Sequence, residues 1–475
     1  MIVSTVAGAT SRSPGYRPRL IRGPLLACLL AVLVQVLDMT MLATALPAIA
    51  RDLRLPALPQ VLVVSGYSLA FGCTLIVGAH LGDRFGRRRV YTAGMAGFAV
   101  CAAWCAMAGG GTELVAARCV QGMCGALVAA QTLAIITTSF GPRRRTVAFA
   151  AHSATGAFAA LAGPVLGGIL VDTDPLGLGW RSVFLAELSI GLVAVAAGLR
   201  LLPRERSAVV RRFDTSGAVL GIALIAVLLY PAIPVGGSRS VLEWSLVGVV
   251  VAVLLPVVVY RGRGGARAPA FPSGLFARRE FALGAVAVLG FSAIFAGVPV
   301  TMSNTVQLGL GFTARETGLL LLPSATGAVV GALTAPILVN RSRNATLTAG
   351  ILLFGLATAA VALLIDPGAG RFDIPTLMVP LAVAGIGLGW FAAPLPALLM
   401  GGIDPAETGP ASGLVPTLQQ LGGALGPVVL LTRLDHGTSG APARDHLIAF
   451  GTALWIVVGL AAVLAVIVLA LPRGR

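Results

Sequence analysis

The chain has 475 residues, of which 57% are hydrophobic and only 11% charged, whereas soluble domains carry about 25% charged residues. Its mean hydropathy is +0.93, which leaves too little polar surface to wet a particle of this size. A soluble enzyme, a secreted disulfide scaffold and a disordered chain are thereby excluded, and the sequence reads as a polytopic membrane protein. The formal charge of +16 comes from 34 basic residues, all of them arginine. They sit in short connections between apolar runs, as a topology signal does, and not interleaved with aromatics in a basic domain; nucleic acid is not an expected partner.

Residues 1–24 form a basic tail. The run from about Leu25 to Ile49 is too long for a signal-peptide core and holds Asp38, so it reads as an uncleaved first spanning helix. Further apolar runs follow at about 61–81, 90–109, 112–138, 146–171, 182–202, 214–235, 241–260, 281–307, 316–339, 346–365, 375–402, 407–432 and 448–471. Hydrocarbon offers the backbone no hydrogen bonds, so each run is expected to be an α-helix, giving an all-α integral membrane protein with 14 transmembrane helices. If the N-terminus is cytoplasmic, the inner segments hold 25 arginines and the outer segments 8, with Arg118 left inside a helix; that bias predicts both termini inside. The longest connection, about 261–280, cannot house a soluble domain. The six cysteines (Cys28, Cys73, Cys101, Cys105, Cys119, Cys124) and four histidines show no ligand spacing, so no disulfide, metal or cofactor is expected.

Four segments carry polar or conformationally special residues where lipid makes them costly. Asp38 lies about 13 residues into the first helix, roughly 20 Å along it, and an ionisable group at that depth is a functional-site hypothesis by default. A carboxyl there is cheaper to bury with its proton on, so it can carry a proton, and when charged it can hold a cationic ligand. Arg118 in the fourth helix comes out near the same depth and is the expected partner; Gln121, Gly122 and Gly125 share its face. Between helices two and three, Gly82-Asp83-Arg84-Phe85-Gly86-Arg87 combines turn-permitting glycines with charges able to pair across the bundle. In helix five, Gly156, Ala160, Gly163 and Gly167 recur as small contact residues, and Pro164 removes an intrahelical hydrogen bond.

As ordered motifs, 78–89, Leu37–Ile49, Arg118–Ala126 and Gly156–Gly168 followed by Trp180-Arg181-Ser182-Val183-Phe184 resemble the major facilitator superfamily, specifically its fourteen-helix drug:proton antiporter branch (EmrB/QacA type). Phe213-Asp214, Gln307, Leu322-Pro323 and Ala411–Gly426 fit the same pattern. The resemblance implies two six-helix bundles, 25–202 and 281–475, with an extra helix pair in 203–280. It implies no enzyme but a proton-coupled exporter of drugs or antibiotic-like compounds in a bacterial cytoplasmic membrane; export of an endogenous metabolite such as a sugar, amino acid or siderophore fits the same motifs, and a polytopic membrane protein without transport is the alternative from another class. Asp38, Arg118 and Glu187 are expected in proton coupling, and Gln35, Asp38, Gln121, Gln307 and Trp390 around the substrate cavity. Gly82, Asp83, Arg84, Gly86, Arg87, Gly163, Pro164 and Gly167 are expected in conformational gating. The expected partners are a small molecule, protons and anionic lipid headgroups, with the protein working as a monomer. The sequence departs from the family where asparagine is usual and Glu187 stands, and where Asn340 and Gln419 replace charged residues in the second half.

Overall fold

The computed structural model describes residues 19–203, 275, 278–366, 374–400, 408–435 and 442–471, and all regular structure among them is helical. The first half gives α1 (Arg19–Asp52), α2 (Ala57–Phe85), α3 (Arg87–Met107), α4 (Gly111–Ser139), α5 (Pro142–Thr173) and α6 (Arg181–Leu201). The second gives α7 (Arg279–Asn304), α8 (Ala314–Val339), α9 (Arg343–Leu364), α10 (Ile374–Ala392), the short α11 (Leu395–Met400), α12 (Thr408–Asp435) and α13 (Ala443–Leu469). Among the described residues, 12 helices are long and apolar enough to cross a membrane. The spans expected at 214–235 and 241–260 lie outside the described residues.

Local chemistry explains the boundaries. Gly86 ends α2 at φ 92°, a conformation open to glycine at little cost, and its N–H returns to the Gly82 carbonyl. Thr313 and Glu316 form a capping box at the start of α8. Past Asn304, α7 continues as a single π-helical turn, Thr305–Gly309. The span expected over 375–402 is broken: α10 stops at Ala392 and α11 starts at Leu395. Pro394 supplies no N–H to continue the helix, and hydropathy alone did not register the interruption. Pro164, by contrast, is carried inside an unbroken α5.

The helices pack as two matched bundles. In the first, α1 packs on α5 and α6, α2 on α4, and α3 on α4 and α6. In the second, α7 packs on α12 and α13, α8 on α10, and α9 on α10 and α13. Each pairing recurs with its elements advanced by six spans, as a pseudo-symmetric pair of bundles requires. Glycine makes the close approaches: a side chain at Gly122 would run into the Tyr67 carbonyl of α2, and one at Gly385 into the Ser324 carbonyl of α8. Apolar side chains such as Val100, Leu356 and Val466 remain exposed, which suits a surface solvated by hydrocarbon.

Both ends of the described chain emerge on one face, here the terminal face: Gly23 abuts Leu201 at the end of α6, and Asn344 Nδ2 donates to the Leu471 carbonyl at 3.4 Å. The bundles meet at the opposite face and at mid-depth, through α5 with α8, α2 with α12 and α1 with α7. On the terminal side, Arg144 and Val147 of α5 and Leu333 and Ile337 of α8 are exposed.

Candidate functional site: a buried charge cluster beside a central cavity

Four polar side chains converge in the first bundle. Asp38 (α1), Arg118 and Gln121 (α4) and Glu187 (α6) are each at most 1% exposed. Arg118 Nη1 donates to Asp38 Oδ1 and to Gln121 Oε1, the latter at 2.8 Å. Its Nε donates to the Val63 carbonyl at 3.3 Å, and its guanidinium lies 4.4 Å from the Tyr67 ring centroid. Gln121 Nε2 passes the network on to Glu187 Oε2 at 3.3 Å. Among the described residues, Asp38 Oδ2 and Glu187 Oε1 receive no hydrogen bond from any N–H or O–H.

Charge arithmetic gives this cluster its chemistry. Two carboxyls face one guanidinium, so the ionised set carries one excess negative charge in a site without water access, which is costly. An ionised carboxylate can only accept hydrogen bonds. One proton taken up by the set brings it to neutrality.

Beside the cluster, between the bundles, is a cavity of about 450 Å³. Arg118 forms part of its wall, with Thr40, Tyr67 and Ser68 from the first bundle. The second bundle contributes Phe291, Phe295, Phe354 and Phe450 together with Ser324 and Thr358. None of the residues expected around the substrate lines it. Asp38 is shut behind Arg118, and Gln121 is consumed in the network. Gln35 Nε2 turns away to the Gly125 carbonyl at 2.8 Å, and Trp390 Nε1 to Thr334 Oγ1 at 2.9 Å. Gln307 lies in the π-turn, where its Nε2 reaches across to the Thr44 carbonyl at 2.9 Å. Each of these amide and indole donors is bonded to a neighbouring helix, while Gln307 Oε1 is buried without a partner, and the cavity is lined by aliphatic and aromatic side chains that hydropathy cannot tell from ordinary core.

The residues expected in gating fall into two groups. On the terminal face, a side chain at Gly82 would collide with Gln131, whose Nε2 donates to the Gly78 carbonyl at 2.7 Å. Arg87 pairs with Asp83 at 3.6 Å and donates to Thr138 Oγ1 and the Ala134 carbonyl, so α3 is clasped to α4. Arg84 lies over its neighbour Phe85. Toward the opposite face, side chains at Gly163 and Gly167 would strike Thr40 and Thr44 of α1. The Pro164 carbonyl lies where a side chain at Gly318 of α8 would be. The small residues of α5 thus bring it against α1 within its own bundle and against α8 in the other.

Three contributors escaped the sequence reading. Tyr67 stacks on Arg118. Asp172 of α5 accepts from the Ala314 and Arg315 N–H groups at 3.2 and 2.8 Å, capping α8 across the bundle boundary. Asp52 accepts from Trp180 Nε1 and Arg181 Nη1 at 2.9 and 2.8 Å, tying the end of α1 to the start of α6. The chain has only 18 acidic residues; an acid at a span terminus in so sparse a set was the available signal for the last two.

Comparison with known proteins bears on what this geometry serves. The sequence profile of the Major Facilitator Superfamily matches residues 28–427. The chain is 34% identical over 420 residues to the "Probable actinorhodin transporter" of Streptomyces coelicolor, covering 87% of this chain and 72% of that protein. It is 32% identical over 451 residues to the "Puromycin resistance protein pur8" of Streptomyces alboniger, covering 94% and 87%. A bacterial homologue of the human lysosomal transporter Spinster, solved inward-facing and unoccupied, superposes with a TM-score of 0.67 at 14% identity over 96% of this chain and 97% of that one; at that identity the likeness concerns the fold.

Proposed function

The chain belongs to the Major Facilitator Superfamily, and on that premise we propose that it is a proton-coupled antiporter exporting antibiotic-like compounds across a bacterial cytoplasmic membrane. The observation that carries the coupling is the buried cluster: Asp38 and Glu187 against Arg118, with one unpartnered oxygen on each acid. A proton bound there leaves the cluster neutral and compatible with a dry interior. Its loss leaves a net negative charge that is tolerated only where water reaches the site, so protonation state and access state are tied. Export of drugs or antibiotics is supported by the names of the relatives, which include a resistance protein and an antibiotic transporter.

Because Asp38 stands behind Arg118 and outside the cavity wall, drug and proton do not compete for one carboxylate. Coupling runs through conformation: the proton changes how Arg118 is held, and Arg118 borders the cavity. In this reading the terminal face is cytoplasmic, as the arginine distribution favours, and residues 203–280 supply two further spans between bundles 25–202 and 281–475, for fourteen in all. The basic tail at 1–24 and the inner loops meet anionic headgroups, Gly82–Arg87 and Gly163–Gly167 serve the rocking motion, and the protein works as a monomer.

The test uses everted vesicles with an acid interior. Adding an exported compound to wild type discharges the gradient, and Asp38→Asn abolishes that discharge while the protein remains folded. Gradient-driven export surviving in Asp38→Asn, or export unaffected by collapsing the gradient, overturns the reading.

A further inference from the structure

Arg118 is gripped from two helices at once. On the α1 side, its Nη1 donates to Asp38 Oδ1. On the α2 side, its Nε donates to the Val63 carbonyl at 3.3 Å, and one turn further on the Tyr67 ring faces the guanidinium at 4.4 Å. Phe184 of α6 stands at 6.0 Å, the outer limit of such a contact. Helix α4 fixes Tyr67 at both ends: a side chain at Gly122 would strike the Tyr67 carbonyl, and one at Gly125 the phenol oxygen. That oxygen has no hydrogen-bond partner among the described residues, and Tyr67 is 1% exposed. What this side chain offers its surroundings is therefore the face of its ring.

A guanidinium keeps its charge whatever its neighbours do. While Asp38 is ionised, the charge is paired. Once Asp38 takes a proton, the other hydrogen-bond partners of Arg118, Gln121 Oε1 and the Val63 carbonyl, are both neutral, and an unpaired buried cation is costly. An aromatic face attracts a cation most strongly where water is excluded. Released by Asp38, the guanidinium settles further onto the ring, so the contact favours the protonated cluster over the ionised one. Helix α2 also reaches the other bundle: Ser65, two residues before Tyr67, donates from Oγ to the Ala424 carbonyl of α12 at 2.7 Å. We propose that Tyr67 is a positioning residue for proton coupling, its ring receiving Arg118 when Asp38 is protonated and so passing the change from α1 to α2, the helix bonded to the second bundle. This inference rests on the coupling reading above and adds the group that takes over the freed cation. The other titratable groups acting on this pair are Cys105 of α3, Cys124 of α4 and Glu187 of α6, and the test leaves all of them in place.

The experiment follows the infrared band of protonated carboxyl groups in the purified full-length protein in lipid nanodiscs as pH is varied. The part of the band that is lost in Asp38→Asn reports Asp38. Tyr67→Phe removes only an unpartnered hydroxyl and is expected to titrate with the wild-type midpoint. A variant carrying pentafluorophenylalanine at position 67 keeps the shape of the ring and reverses the charge of its face. It is expected to need a roughly two- to thirtyfold higher proton concentration, the range to which a desolvated cation–π contact converts. Its melting temperature reports folding, and a ring that served packing alone would leave the midpoint where it is. An unchanged midpoint in the folded fluorinated variant, or an equal displacement in Tyr67→Phe, overturns the proposal. A band that titrates identically in Asp38→Asn sinks the assignment of the proton to Asp38, and this inference with it. A midpoint that moves as expected in a protein that exports without a gradient removes the antiport reading and leaves the role of Tyr67 standing.

Discussion

The two bundles share a packing plan but not a chemistry. Gly122 of α4 rests on the Tyr67 carbonyl, and Gly385 of α10 rests in the same way on the Ser324 carbonyl. Four residues before each stand Arg118 and Leu381, both in the cavity wall. Similarly, Gly167 of α5 approaches the Met41 carbonyl and Gly426 of α12 the Ala293 carbonyl; three residues before these stand Asp38 and Gly290. Positions equivalent by packing thus carry an ion pair in the first bundle and apolar residues in the second. Among the described residues, the buried polar side chains of α7 to α13 are neutral hydroxyls and amides apart from His446. Small residues at matched positions specify the fold twice. Charge, which is expensive in a membrane interior, is spent once.

The strongest way to break this contrast is to make the first bundle resemble the second. Arg118→Leu leaves two acids facing each other without a counter-charge and is expected to cost about 3–5 kcal/mol of stability along with all gradient-driven export, because removing one partner of a buried pair strands the other. Adding Asp38→Asn and Glu187→Gln to Arg118→Leu removes the stranded charge. The triple variant should melt within a few degrees of wild type in detergent and still fail to transport. If the single variant melts like wild type, the cluster is not the charged network described above.

Smaller substitutions sharpen the shared half of the comparison. Gly122→Ala and Gly385→Ala each drive a methyl group into a backbone carbonyl of the facing helix, and overpacking of this kind costs typically 1–3 kcal/mol. The two variants should lose similar thermal stability, measured side by side in the same detergent. A large loss for one and none for the other would show that the glycine contacts are not equivalent between bundles.

These contrasts also explain what could be read from sequence. Asp38 and Arg118 were legible because each is an ionisable residue at a computable depth in an apolar run, and helix rise brings them level. Gly82, Gly163 and Gly167 stood out as small residues at helical spacing. The cavity was not legible, since Phe291, Phe295 and Phe354 follow the same hydropathy as residues packed in the core or against lipid. The polar residues expected around the cavity, Gln35, Gln307 and Trp390, instead bond across helix contacts. In a membrane interior an amide is first of all a partner for another helix's backbone, so polarity marks helix contacts more readily than it marks a ligand wall.

The smallest expected effect concerns the contact that closes the face opposite the termini. Asp172 satisfies the first N–H groups of α8 from the other bundle, a cap that complements the positive end of the helix. The bond exists only while α5 and α8 are together at that face, so it stabilises the closed arrangement over one in which the bundles part there. Asp172→Ala is expected to weaken the closed state by about 0.5–2 kcal/mol without disturbing the Asp38–Arg118 pair, which is held within the first bundle. A shift of that size raises the share of the arrangement open on the opposite face roughly two- to thirtyfold. Labelling of a cysteine introduced at Thr44, beneath the Gln307 contact, by a thiol reagent applied from that face reports the change. Faster labelling in Asp172→Ala than in the Thr44→Cys parent fits a cap that acts between the bundles; equal rates would show that it serves only the local stability of α8.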